Sequence, residues 1–192
     1  MNCVNIGYNS TNYFAIHYHK EYLLIDTGLP GTLGKMKNHF QKYGIRLNDI
    51  KYLMLTHFHP DHCGIAQEIQ LLGVELIIGH TQLPFLAAAN ESLAKFPDYK
   101  HIVVKPQNII NENDKISFYE KLGMPGYILH TPGHSEDSIS IVIEGLGVFT
   151  GDLPFMNQKI TEQVGVIEQS WSRIRSTSEK KVFPGHGSSF EL

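Results

Sequence analysis

Along this chain short apolar runs alternate with polar, glycine-punctuated stretches, and the spacing of the apolar positions changes from strand-like to helix-like and back. Asn2 to Ile6 and Tyr13 to Tyr18 read as strands, with Asn9-Ser10-Thr11-Asn12 as the turn between them. Tyr22-Leu23-Leu24-Ile25 is a third strand, running into Asp26-Thr27-Gly28. From Gly31 to Tyr43, Leu33, Met36 and Phe40 recur on one helix face, and Gly44 suits the helix end. Tyr52-Leu53-Met54-Leu55 is apolar throughout, as expected of a strand covered on both faces. Beyond residue 64, Ile65, Ile69 and Leu72 predict a helix stopped by Gly73, followed by a strand from Val74 to Ile78. Residues 81–96 have helical composition. Further strands are expected at His101 to Val104, Lys115 to Phe118, Tyr127 to His130, Ser138 to Ile143, Gly147 to Thr150 and Lys181 to Phe183, with a helix over 159–178. No repeat, low-complexity tract or linker interrupts this order. Strands, then helix, then strands again, twice over, predict two sheets between helices: an α/β, four-layer arrangement in one domain spanning 1–192.

Composition narrows the function classes. With 42 % hydrophobic and 18 % charged residues the chain reads as globular and not disordered. The formal net charge of −3 is spread along the length with no basic stripe, which argues against nucleic acid as a partner. Met1-Asn2-Cys3-Val4-Asn5-Ile6 lacks a charged start and a long apolar stretch, and no run approaches the roughly 20 apolar residues that span a bilayer. Cys3 and Cys63 form no CxxC pair and are too few for a disulfide scaffold. The expectation is a cytoplasmic protein with a small-molecule substrate and no membrane association; a homodimer is left open.

The chemistry concentrates in Thr56-His57-Phe58-His59-Pro60-Asp61-His62-Cys63-Gly64. Imidazole nitrogen and carboxylate oxygen are the ligands that borderline divalent ions accept. His57 and His59, one residue apart on an extended segment, point the same way and can reach one ion. Asp61 and His62 lie just beyond and can reach a second. Three later segments share one logic, an apolar strand ending in a glycine-bounded loop. They deliver His134 in Thr131-Pro132-Gly133-His134-Ser135, Asp152 in Thr150-Gly151-Asp152, and His186 in Pro184-Gly185-His186-Gly187.

HxHxDH, TPGHS, TGD and PGHG in that order, preceded by Asp26-Thr27-Gly28, resemble the metallo-β-lactamase-fold hydrolases over nearly the whole chain. The resemblance implies the αββα sandwich. It also implies that His57, His59 and His134 serve one ion and that Asp61, His62 and His186 serve another. Asp152 would bridge the two ions, and Asp26 would buttress the ligands. Two divalent ions, zinc first and iron or manganese as alternatives, would share a water and lower its pKa from 15.7 toward about 7. Asp61 would orient that nucleophile and handle its proton.

Among the remaining candidates, His17, His19, His39 and His101 are expected at the surface and His130 as the structural end of its strand; His80 follows a strand and could line the cleft, the less favoured of its two readings. Cys63 is expected to be a small buried residue and not a ligand. Trp171 is expected in the core, and residues 81–100 and 153–170 are expected to supply the substrate wall.

Within the family the pattern is closest to glyoxalase II-like hydrolases; those continue with a helical domain, whereas the sequence here runs six residues past His186. A thioester, ester or lactone of a small molecule is the expected substrate. The same ligand set also resembles persulfide dioxygenases, which use one iron and molecular oxygen. A phosphodiesterase and a non-catalytic metal-binding module are the other readings.

Overall fold

The computed structural model describes residues 1–155 and 164–192. Eleven strands form two sheets. The first contains β1 (Asn2–Asn5), β2 (Phe14–Tyr18), β3 (Glu21–Ile25), β4 (Ile50–Met54), β5 (Glu75–Gly79) and β6 (Ile109–Ile110), in that order across the sheet. The second contains β7 (Gly126–His130), β8 (Ile139–Ile143), β9 (Gly147–Gly151), β10 (Lys181–Pro184) and β11 (Phe190–Glu191), ordered β11-β10-β9-β8-β7. The helices are α1 (Leu33–Lys42), α2 (Pro60–Cys63), α3 (Ala66–Leu71), α4 (Leu86–Leu93), α5 (Lys115–Leu122) and α6 (Val164–Arg175).

Strand side chains alternate between faces, so a strand that is apolar throughout must be covered twice. Leu23, Ile25, Met54 and Ile77 meet Ile128, Ile141, Phe149 and Phe183 in the layer between the sheets. Their neighbours Leu24, Leu53 and Leu76 point the other way and pack with Met36 and Phe40 of α1 and Ile69 of α3. On the far side, Leu129, Val142, Val148 and Val182 pack against Ile167, Trp171 and Ile174 of α6. These three apolar layers separate helix, sheet, sheet and helix, which is the expected four-layer αββα sandwich. Trp171 is core, as expected.

Strand direction brings the motif loops to one edge. β3 and β4 are parallel, so Asp26 and the segment from Thr56 onward leave the same end of the first sheet. β7 and β9 are each antiparallel to β8 and therefore run alike, and β10 is parallel to β9. The loops carrying His134, Asp152 and His186 thus emerge together. The two edges are tied by backbone hydrogen bonds from Ile139 N to Thr56 O (2.8 Å) and from Asn12 N to Gly185 O (2.7 Å).

Most expected elements lie within two residues of those observed, and two expectations are corrected. Lys115 to Phe118 is the first half of helix α5, not a strand. The Asp114 carboxylate caps it by accepting the Ser117 N–H at 2.9 Å, and Gly123 closes it in the left-handed conformation at φ 69°. Phe118 and Leu122, four residues apart, are buried on its inner face while Ile116 and Tyr119 are exposed. His101 to Val104 is not a strand either, because its backbone is held by side chains. Ile102 N donates to Asn90 Oδ1 (2.8 Å) and Val103 N to Gln67 Oε1 (2.8 Å). The expected helix over 159–178 is observed from Val164 to Arg175, its first positions lying outside the described residues. β6 and β11, two residues each, carry too little periodicity to be predicted.

Candidate metal centre

All seven candidate ligands converge at this edge. Three groups have their ligand atoms within 4.8 Å of one another: His57, His59 and His134; His57, His62 and Asp152; and Asp61, His62 and His186. Asp152 touches both halves. Its Oδ2 is 4.0 Å from His57 Nε2, 3.5 Å from His134 Nε2 and 3.3 Å from His186 Nε2, and its Oδ1 is 3.3 Å from His62 Nε2. His57 and His62 are fully buried and form the floor, whereas His59, His134 and His186 rise to a solvent-facing mouth.

The surroundings determine which nitrogen of each ring faces inward. Asp26, buried at the end of β3, accepts three hydrogen bonds: from Thr56 N (2.7 Å), Thr56 Oγ1 (2.7 Å) and His62 Nδ1 (2.9 Å). Its φ of 61° lies in the left-handed region, which Asp and Asn tolerate better than most side chains. A carboxylate only accepts, so His62 Nδ1 carries a proton toward Asp26 and Nε2 is the nitrogen that faces the site. The Thr56 hydroxyl spends its one hydrogen on Asp26 and therefore accepts from His57 Nδ1 at 3.1 Å. His57 Nε2 is then a free lone pair. His186 Nδ1 donates to Ser10 O at 2.7 Å, with the same consequence.

These inward-facing atoms are the decisive observation. His57 Nε2, His62 Nε2 and Asp152 Oδ1 are buried with no hydrogen-bond partner outside the cluster, the last two facing each other at 3.3 Å. Leaving a buried polar atom unpaired costs about 1–3 kcal/mol, so such atoms are normally satisfied. Three of them in one cluster fit a shared cation. The electrostatics agree. Burial, reinforced by the neighbouring His62 imidazole, pushes the His57 pKa well below its ordinary value. Burial opposes charge on His62 too, yet the Asp26 and Asp152 carboxylates outweigh it and raise its pKa to about 10. The carboxylates thus draw in positive charge, and a divalent ion satisfies the same demand. His134 Nε2 and His59 Nδ1 lie 2.8 Å apart, two imidazole nitrogens aimed at one region.

Several supporting residues were not singled out from the sequence. Thr56 and Thr11 act as described above and below, and Thr11 Oγ1 donates to Asp61 Oδ2 at 3.0 Å. Asp137 Oδ2 accepts the Phe58 N–H at 2.6 Å, setting the backbone between the first two histidines. Buried Gln82 links Gly79 N (2.9 Å) to Leu55 O (3.1 Å), joining the ends of β5 and β4. The local signal for Thr56 was its place directly before the first histidine; Thr11 and Gln82 carried none. Cys63 is fully buried and belongs to no metal-capable group among the described residues. His130 ends β7 with its Nε2 against Glu136 O at 2.8 Å. His80 is exposed and lines neither cleft beside the cluster. His39 is half-buried instead of surface-exposed, because its Nδ1 lies 3.0 Å from Ile6 O and its ring packs on Tyr8.

No helix among the described residues is long and apolar enough to cross a membrane. The family model described as "Metallo-beta-lactamase superfamily" matches residues 6–186. A probable metallo-hydrolase of Methanocaldococcus jannaschii is 30 % identical over 94 % of this chain and 89 % of its own length. A protein of Aspergillus chevalieri named atrochrysone carboxyl ACP thioesterase is 26 % identical over 92 % of this chain and 51 % of its own length. The chain spans about half the length of the first relatives matched, 49 % for a lactamase-like protein of Pestalotiopsis microspora that is 30 % identical over 92 % of this chain. Among solved structures, a metallo-beta-lactamase family protein of Thermus thermophilus superposes with a TM-score of 0.73 at 21 % identity, covering 98 % of this chain and 73 % of that one. With a family model spanning the motif loops from before Asp26 through His186, this chain belongs to the metallo-beta-lactamase superfamily.

Proposed function

We propose that the chain is a two-metal hydrolase of the glyoxalase II-like kind, cleaving a thioester, ester or lactone of a small molecule. In this reading His57, His59 and His134 hold one ion, Asp61, His62 and His186 hold the other, and Asp152 serves both. The observation that carries it is the convergence of three buried atoms with no partner outside the cluster, His57 Nε2, His62 Nε2 and Asp152 Oδ1, beneath a mouth of further imidazoles. Zinc suits this donor set, and iron and manganese accept it. When bound, such a pair supplies Lewis acidity and a water acidified toward pKa about 7.

The residues divide the remaining work. Asp26 and Thr56 hold His62 and His57 with Nε2 inward, and the Ser10 carbonyl does so for His186. Ligands held this way need no reorientation when the centre loads. Asp61 accepts from Thr11 through Oδ2 and stands on the half-open side of the cluster, where it can orient water and take up its proton. The relative named as an acyl carrier protein thioesterase favours the thioester among the three bonds.

Elemental analysis of the purified protein, joined to turnover of S-lactoylglutathione, an acyl-homoserine lactone and a phosphodiester, tests the reading. About two equivalents of metal and acyl-bond hydrolysis are expected. Asp152→Ala should lower the metal content and abolish most turnover. Wild-type turnover by that variant would sink the two-metal assignment, and full metal occupancy with no turnover would make the chain a binding module.

A further inference from the structure

Among the described residues, two clefts open beside the cluster. One, of about 250 Å³, contains His134, Asp152 and His186 and is therefore where the bond being cut lies in the proposed reaction. The other, of about 240 Å³, shares only His59 with the cluster and runs beneath α4. Phe58, Phe85, Leu93 and Phe96 line it, and α4 turns Ala88 and Ala89 toward it, where larger side chains would fill the space. Two of its polar groups are engaged: Asp137 holds the Phe58 N–H, and the Lys95 ammonium stands 5.6 Å over the Phe96 ring. The one carboxylate and one ammonium in the wall leave it without net charge to attract an ion, and its aromatic and aliphatic side chains favour an apolar occupant.

We infer that this second cleft binds the non-reacting acyl chain of the substrate, an uncharged apolar chain of up to roughly eight carbons. The inference rests on the acyl-hydrolase reading. It assigns this part of the substrate because the cleft touches the cluster at one residue only, and because the leaving side of biological thioesters is polar. The length follows from volume. At about 30 Å³ per water-sized group, a space of about 240 Å³ holds roughly eight methylene-sized groups.

The test uses the full metal-loaded chain and N-acetylcysteamine thioesters from acetyl to dodecanoyl. A fully enclosed methylene is worth about fourfold in kcat/KM, and half that is expected in a cleft open on one side. The kcat/KM ratio of hexanoyl over acetyl should therefore exceed roughly tenfold, and the gain should stop near eight carbons. Ala88→Trp, at an exposed helix position that tolerates bulk, should collapse that ratio toward one without changing metal content. In parallel, calorimetric titration with N-alkyl acetamides of increasing length should show affinity rising with chain length in the wild type and not in the variant. Hydrolysis that ignores chain length, with no length-dependent binding, would overturn the acyl-chain site while leaving the hydrolase reading intact. Length-dependent binding without hydrolysis of any thioester would retain the apolar site and overturn the reading of the reaction.

Discussion

Asp26→Asn isolates the contribution of one carboxylate to the centre. Asn is isosteric and tolerates the left-handed backbone at φ 61°, so neither a cavity nor strain is introduced. One amide oxygen can still accept the Thr56 N–H. The other atom becomes an NH2 facing Thr56 Oγ1 and His62 Nδ1, where two acceptor bonds of 2.7 and 2.9 Å had been. Each bond to a charged, buried acceptor is worth about 1.5–3 kcal/mol, so at the lower bound the metal-free fold should lose about 3 kcal/mol. For a chain of this size that corresponds to a Tm lower by roughly 6–12 °C. The larger consequence is the tautomer. Facing a donor, His62 gives up the proton on Nδ1 and keeps the one on Nε2, the atom a metal needs free, and metal affinity should fall by about 10–100-fold. Melting of the chelator-treated protein measures the first effect. Metal retained after dialysis against graded chelator measures the second. An Asp26→Asn protein with wild-type affinity would refute the argument that Asp26 sets the His62 ring.

Three further outcomes follow from the same geometry. A Cβ on Gly185 would overlap Asp152 Oδ1 and stand 2.8 Å from His62 Cε1. Gly185→Ala should therefore lower metal content while the far-UV spectrum stays native, and an unchanged stoichiometry would show that Asp152 can move aside. Burial raises the pKa of the Cys63 thiol well above its ordinary value and that of Cys3 to about 12. Neither should react readily with a disulfide reagent at pH 8 until the chain is unfolded, and Cys63→Ser should leave metal content unchanged. In the metal-free protein the His57 pKa is lowered and that of His62 is raised to about 10, against about 6.5 for both when unfolded. The unfolded chain binds more protons below about 6.5 and the native chain binds more between there and about 10, so this pair's contribution to stability should peak near pH 6.5. Denaturant titrations of chelator-treated protein from pH 5 to 9 check this, and a contribution that rises steadily through the range would contradict it.

How far the sequence carried can be judged from particular segments. Leu53-Met54-Leu55 announced a strand covered on both faces, and in the fold its side chains, like those of Leu23-Leu24-Ile25, divide between two apolar layers. The four ligand-bearing motifs were legible because each is a short loop following an apolar run. Lys115 to Phe118 misled because four residues with apolar positions two apart fit a strand, while the helix is set by the Asp114 cap and by Leu122, outside that window. His101 to Val104 misled because its apolar residues match a strand, while its backbone partners are Asn90 and Gln67.

Local pattern by itself therefore determined the elements, their doubly covered strands and the residue types that meet at the centre, since periodicity and turn chemistry act over a few neighbouring residues. Tertiary structure alone decided the rest. Parallel strand directions bring Asp26, His57, His134, Asp152 and His186 to one edge from positions far apart in the chain. Thr56 and Ser10 then fix which imidazole nitrogen carries the proton. The cleft beneath α4 is lined by Ala88 and Ala89 from one segment and Phe58 from another, a juxtaposition set by packing across the chain and by no local pattern within it.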